Sequence, residues 1–238
     1  MSKIAVVTGA GSGVGRAVTL ELAKRQYHVG LLGRHEESLL ETIKLAANTH
    51  GKLIPIVCDV SRETDVRTMA ARVRSELGDP SVLVNSAGVN VIKRSLVDLS
   101  VEDFKHILDV NLTGIFLCVH AFLPAMRRSG TGTIVNINSD AGLAANPVSG
   151  ASYIAAKFGL TGLTDAINIE ERKNGIRACC VFPGEINTPL LAKRPVVPTP
   201  EARAKMLQAE DVAAAVMLAI DLPERALVER IVLRPRTK

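Results

Sequence analysis

The chain has 238 residues, of which 47% are hydrophobic and 22% charged, so it can bury a substantial core and is neither largely disordered nor a disulfide-stapled miniature. Its 29 Lys and Arg against 24 Asp and Glu leave a net charge of +5 that is spread along the length. With aromatics at 3% and no Trp, this argues against a nucleic-acid binder and reads as solvated surface with, at most, a local site for an anion.

The first apolar run, Ile4–Thr8, is too short for a secretory core, and no stretch is expected to approach the roughly 20 apolar residues that span a bilayer. Short β-rich runs at 4–8, 29–32, 53–58, 82–85, 133–138, 177–182 and 230–233 alternate with stretches of helical period at 14–25, 36–48, 63–77, 101–127, 152–173 and 211–221. Ser61, ahead of an acidic turn, and Ser100, followed by Glu102 and Asp103, are the expected helix starts. The alternation predicts one α/β domain over residues 1–238: a doubly wound parallel sheet of about seven strands flanked by helices. Pro189, Pro195, Pro198 and Pro200 interrupt it, and because only 38 residues follow, 189–209 is expected to be a substrate loop or lid within the domain rather than a linker. Cys58, Cys118, Cys179 and Cys180 lack CxxC spacing, and the last two fall on a strand where neighbours face opposite ways. Buried thiols, no metal site and a cytoplasmic location are the expectations.

The first strand runs into Thr8-Gly9-Ala10-Gly11-Ser12-Gly13-Val14-Gly15, and a helix opens there. Glycines at this junction let a pyrophosphate approach amides at a helix N-terminus, where the macrodipole favours anions. The second strand ends not in the acidic residue that accepts ribose hydroxyls but in Gly33-Arg34. A guanidinium there can engage a 2′-phosphate that a carboxylate would repel, which predicts NADP(H) over NAD(H). Strand three ends in Asp59-Val60, suited to an adenine amine and ring, and strand four in Asn85-Ser86-Ala87-Gly88; Asn85 and Gly88 fit a ligand edge and ordinary loop chemistry equally well.

Tyr153 and Lys157 are four apart on an expected helix and share one face. An ammonium about 4 Å from a phenol is worth roughly 4 kcal/mol at an effective dielectric near 20, so Lys157 is expected to draw the Tyr153 pKa toward working pH, with burial opposing. Taken alone the pair also fits a tyrosine packed by a lysine stem. Ser139, at the end of a strand, and Asn111, inside a helix, supply the hydroxyl and amide that complete a set sufficient for carbonyl reduction.

Together these segments resemble the short-chain dehydrogenase/reductase family over essentially residues 3 to 234. The matching pieces are Thr8-Gly9-x-x-x-Gly13-x-Gly15, Asp59-Val60, Asn85-x-Ala87-Gly88, Asn111, Ser139, Tyr153-x-x-x-Lys157 and Pro183-Gly184-Glu185-Ile186-Asn187-Thr188. The resemblance implies a Rossmann fold. It implies that Ser139 orients the substrate carbonyl, Tyr153 protonates its oxygen, Lys157 holds the nicotinamide ribose and depresses the Tyr153 pKa, and Asn111 anchors a proton-relaying water. Pro183, Gly184, Ile186 and Thr188 would meet the carboxamide end of the nicotinamide. Substrate contacts would come from Ser139, Asp140, Asn146, Tyr153 and Glu185.

The sequence departs from the family pattern in places. Ser86 replaces a usual Asn or Cys, Ser12 stands where NADP-using members often carry Arg, and the interval from Ser139 to Tyr153 is one residue longer than expected, which predicts a bulge near Asn146-Pro147. The wall of the cleft is expected to include Gly142, Leu143, Pro147, Val148, Leu190, Leu191 and Arg194, with Arg194 solvated rather than bound to a substrate carboxylate. The C-terminal strand lacks the close familiar in 3-oxoacyl reductases, whereas the run from Glu210 to Pro223 is more like the 3-hydroxy acid dehydrogenase branch. The implied activity is NADP(H)-dependent interconversion of a small carbonyl and its alcohol; the other reading is a catalytically weak NADP(H)-binding sensor or structural protein of the same fold. Small residues on the Tyr153 helix (Ala155, Ala156, Gly159, Gly162 and Ala166) predict a homo-oligomer, a dimer or tetramer. Neither nucleic acid nor membrane is an expected partner.

Overall fold

The computed structural model describes residues 3–46 and 49–236. Its centre is a sheet of seven strands, β1 (Ile4–Thr8), β2 (His28–Gly33), β3 (Leu53–Val57), β4 (Val82–Asn85), β5 (Gly132–Ile137), β6 (Ile176–Pro183) and β7 (Arg230–Leu233). All pairings are parallel, in the order β3-β2-β1-β4-β5-β6-β7. β1, β4 and β5 are buried along their whole length, as strands covered on both faces must be, and their sequences accordingly read as continuous apolar runs.

The helices are α1 (Gly13–Lys24), α2 (Glu36–Leu45), α3 (Glu63–Glu76), α4 (Val101–Leu108), α5 (Gly114–Ser129), α6 (Ala151–Glu171), α7 (Pro200–Ala204) and α8 (Ala209–Asp221). One face of the sheet packs on α1 and α8 through residues such as Val18, Leu22, Val212 and Val216. The other packs on α3, α5 and α6 through Met69, Val73, Phe122 and Leu160. Cys179 lies in the first of these cores, while Cys180 accepts a hydrogen bond from Asn138 on the opposite face, as adjacent strand residues should. The chain leaves β1 for β2 on one side and returns to β4 on the other. The carboxyl ends of β1 and β4 therefore diverge, and a crevice opens there.

The structure amends several expectations. The expected helix over 101–127 is two helices separated by a π-helical turn, Asp109–Thr113. Asn111 lies in that turn, and a β-carbon on Gly114 beside it would press on the main chain of Val60, so the helix widens where it is gripped from both sides. The stretch Val101–Ser129 is long and apolar enough, by length and composition, to cross a membrane, contrary to the expectation that no stretch is. Here its apolar side chains Ile115, Cys118, Val119, Phe122 and Met126 are spent on the sheet.

Ser61 does not start α3: its hydroxyl donates to Asp59, and Arg62 is the extended residue before the helix. Ser100 does cap α4, accepting the Asp103 amide. The expected end of the second helix at 47–48 lies outside the described residues; α2 ends at Leu45. The proline-rich segment is not structureless. Pro189 opens a 3-10 turn, Pro189–Lys193, and Pro200 opens α7, whose amide at Ala202 is capped by Thr199. Proline at a first helical position loses an N–H that has no partner in the helix, so it starts these turns rather than breaking them.

Candidate active site

The crevice at the end of β1 is built for close approach. Gly9 has φ +66° and packs so that a β-carbon would lie 3.0 Å from the main chain of Ala87, while a β-carbon on Gly15 would overlap the Gly9 carbonyl. Only glycine permits both contacts, and together they bring the amides at the start of α1 to the surface of the crevice. The Thr8 hydroxyl accepts the amides of both Ser86 and Ala87, tying the glycine turn to the loop after β4. Thr188 sits over the turn, 3.2 Å from where a Gly13 β-carbon would be. Ser12 is exposed and makes no capping bond, and Gly11 and Val14 are buried beside it.

Arg34 follows Gly33 at the end of β2, is exposed, and forms no ion pair among the described residues. It lies close enough to Asp59 to act on that carboxylate. Burial raises the Asp59 pKa, but two hydrogen bonds from Ser61 and the charges of Arg34 and His106 outweigh it and hold the carboxylate below its ordinary value. Val60 is 7% exposed and packs on Gly114. Asn85 is completely buried and donates to Asn136 at 2.8 Å, so its side chain braces the β4 loop from behind. Gly88 lies next to Asn111, whose amide is also buried and closed on Val89: its oxygen accepts the Val89 amide and its nitrogen donates to the Val89 carbonyl.

Across the crevice, Ser139 leaves the end of β5 with its hydroxyl accepting the Ala141 amide and donating to Asp140. Tyr153 is on the first turn of α6, with Lys157 one turn further on, its Nζ 5.5 Å from the centre of the phenol ring. Ser139, Asp140, Asn146, Tyr153, Pro183, Gly184, Glu185, Ile186 and Thr188 share one cleft of about 770 Å³. Asn146 accepts three bonds from Val148 and Ser149, closing a turn in the stretch where the longer interval predicts a bulge.

The pKa expectation is overturned. Burial dominates the Tyr153 phenol and pushes it up to about 12, against the Ser139 hydroxyl, which pulls it down. Burial also drives the Lys157 amine down to about 8. Lys157 stands over the phenol ring but donates to the Ile137 carbonyl at 2.8 Å, and it is not among the groups that lower the Tyr153 pKa. The cations that do lower the Tyr153 pKa are Arg94 and Arg194.

The wall of the cleft differs from the expected one. Val148, Leu190 and Leu191 line it, but Gly142 is buried against Asn138, and Leu143 and Pro147 do not reach it. Arg194 is not free in solvent: it lines the cleft and pairs with Glu185 at 2.7 Å. Asn90 and Arg94, on the irregular loop after β4, line the cleft unforeseen. No periodicity or motif in that loop signals them, and Arg94 comes into one cleft with Tyr153 only by folding.

Known proteins resemble this chain along its length. The family described as short chain dehydrogenase matches residues 3–196. Sepiapterin reductase of Chlorobaculum tepidum is 36% identical over 99% of this chain and 97% of that protein. An alcohol dehydrogenase from the archaeon Thermococcus sibiricus, complexed with 5-hydroxy-NADP, superposes with a TM-score of 0.89 at 29% identity, covering 100% of this chain and 98% of that one. A metagenomic short-chain oxidoreductase in complex with NADP gives 0.84 at 30% identity, covering 99% and 98%.

Proposed function

The chain belongs to the short-chain dehydrogenase family of oxidoreductases, and on that premise we propose that it interconverts a small carbonyl compound and its alcohol using NADP(H), with Tyr153 as the acid and base. The observation that carries this reading is the convergence of Ser139 and Tyr153 on one cleft that also contains Pro183, Gly184, Ile186 and Thr188. The residues fit the cofactor: Gly9 and Gly15 let the turn close tightly on the main chain of Ala87 and on its own carbonyl, as a phosphate-binding turn at a helix N-terminus requires, and Arg34 offers, among the described residues, an unpaired cation at the end of β2. When bound, NADP(H) supplies or takes up the hydride.

Gly9, Gly11, Ser12, Gly13, Val14 and Gly15 would hold the pyrophosphate, Gly33 and Arg34 the 2′-phosphate side, and Asp59 and Val60 the adenine. Asn85, Ala87 and Gly88 form the floor, with Asn85 acting through the loop it braces. The Ser139 hydroxyl orients the substrate carbonyl, and Tyr153, which keeps its proton at neutral pH, delivers it to the oxygen as the alcohol forms. Lys157, with its amine near 8, can pass a proton in either direction close to neutrality and would also hold the ribose. Asn111 spends one donor and one acceptor of its side chain on Val89, which fixes the π turn against the β4 loop, so its part in any relay through a bound water would be played from a held position.

The test follows NADPH absorbance, then NADH, against a panel of aldehydes and ketones, with Tyr153→Phe as the blank. Turnover with NADPH that is lost in the variant supports the reading; turnover that survives in it overturns the role of Tyr153. A dimer or tetramer is proposed to form through α6, where Phe158 and Ile169 are exposed beside its small residues. Sedimentation at micromolar concentration checks this, and a monomeric mass refutes it.

A further inference from the structure

Arg94 has no part in the hydride transfer set out above, yet it is 8% exposed and lines the cleft with Ser139 and Tyr153. Its Nε donates to the Val91 carbonyl at 2.7 Å, one terminal nitrogen to the Val148 carbonyl at 3.1 Å, and the other to the Lys193 carbonyl. These are neutral partners. Among the described residues no carboxylate pairs with Arg94, although buried charges are ordinarily paired because their desolvation is costly. Three of the five N–H groups of the guanidinium are used, leaving one on each terminal nitrogen.

Burial and, after it, the nearby guanidinium of Arg194 both disfavour the charge on Arg94, and Arg194 has its own ion pair with Glu185. Of the other cleft carboxylates, Asp140 is engaged by the Ser139 hydroxyl. Glu201 lies on α7, at the lid. The cleft lining carries four basic side chains, Arg94, Arg194, Lys205 and Arg234, against three acidic ones, Asp140, Glu185 and Glu201, and of these seven only Arg94 is buried.

We propose that Arg94, assisted by Arg194, anchors a carboxylate of the substrate, so that the preferred substrates are short oxo acids and the corresponding hydroxy acids. This rests on the carbonyl and alcohol reading given above. The carboxylate itself is unchanged in the reaction: the carbonyl carbon gains a hydride from NADPH, the carbonyl oxygen gains the Tyr153 proton, and NADP⁺ and the hydroxy acid are released. The guanidinium fork matches a carboxylate in two parallel bonds, and the three loop carbonyls hold that fork in place.

The experiment compares initial rates with NADPH on α-, β- and γ-oxo acids, on their methyl esters and on neutral ketones, for the wild type, Arg94→Met and Arg94→Lys. The expected result is that the wild type prefers the best acid over its ester by about 50-fold in kcat/KM, the size of a charged hydrogen-bonded contact. Arg94→Met should raise KM for the acid by a similar factor and change the ester by less than about threefold, while Arg94→Lys should retain part of the preference. An ester reduced as well as its acid overturns the anchor, as does an Arg94→Met variant that loses acid and ester equally, which would make Arg94 only a strap for the loops. The wild-type comparison of acid with ester decides the matter even if Arg94→Met fails to fold. Turnover of neutral ketones without acids removes the anchor and leaves the reductase; no turnover of any carbonyl removes the reductase itself.

Discussion

Replacing Lys157 by methionine should change how stability depends on pH. Lys157 is 3% exposed, and burial lowers its amine from 10.5 to about 8. Below about 8 both folded and unfolded chains carry the charge, and the folded state bears the whole cost of burying it. Between the two values the unfolded chain binds a proton that the folded chain does not, so stability rises with pH. From pH 7 to about 9.5 the rise attributable to this group is about 2 kcal/mol. The methionine variant lacks it. Tyr153 does not interfere: its raised pKa contributes fully below its ordinary value of 10 and is lost only as pH climbs toward about 12. The buried thiols titrate in both proteins and cancel in the difference. Urea unfolding of both proteins at the two pH values gives the difference directly. The wild type should gain about 2 kcal/mol on the variant; a difference that stays constant would refute the buried, depressed amine.

Three other outcomes are expected. Arg34→Asp should lower the ratio of NADPH to NADH affinity by about 30-fold or more, measured by titration calorimetry, because a carboxylate replaces the cation at the 2′-phosphate; an unchanged ratio removes Arg34 from the site. Gly15→Ala should cost about 2 kcal/mol of stability and weaken NADPH binding, since its β-carbon meets the Gly9 carbonyl; a variant of wild-type melting temperature would show that the turn can relax. With Tyr153 as the proposed base, alcohol oxidation should rise with pH from about 7 to about 10, whereas carbonyl reduction should not; an oxidation rate already level at neutral pH would contradict the raised phenol.

The fold is legible in the sequence because its central strands β1, β4 and β5 are buried on both faces and so appear as largely apolar runs, separated by helical periods. Element ends are less so. The π turn at Asp109–Thr113 is read through because it is a single five-residue turn between two stretches of helical period, too short to interrupt the pattern that each of them sets. The proline-rich segment is hard to read because proline content opposes helix in general, whereas Pro189 and Pro200 stand at the starts of turns, where proline is compatible with it.

In the site, the residues proposed to carry the chemistry are legible by their spacing and those that aim them are not. Ser139, Tyr153 and Lys157 stand in recognisable spacing, but their relative placement depends on Asn138. Its oxygen accepts the Ser139 amide, while its nitrogen donates to the Lys157 carbonyl and to the Thr161 hydroxyl. One amide therefore joins the end of β5 to the turn of α6 that bears the lysine. Thr8 does the same between the glycine turn and the β4 loop, and Asn111 between the π turn and Val89. Most partners in these links are main-chain atoms, which every residue possesses, so no side-chain pattern in the sequence can announce them. Arg94 belongs to the same class by its bonds to three carbonyls, and differs in carrying a charge those carbonyls do not neutralise. A brace needs no charge; a buried one facing the substrate cleft is the feature that separates an anchor from a strap.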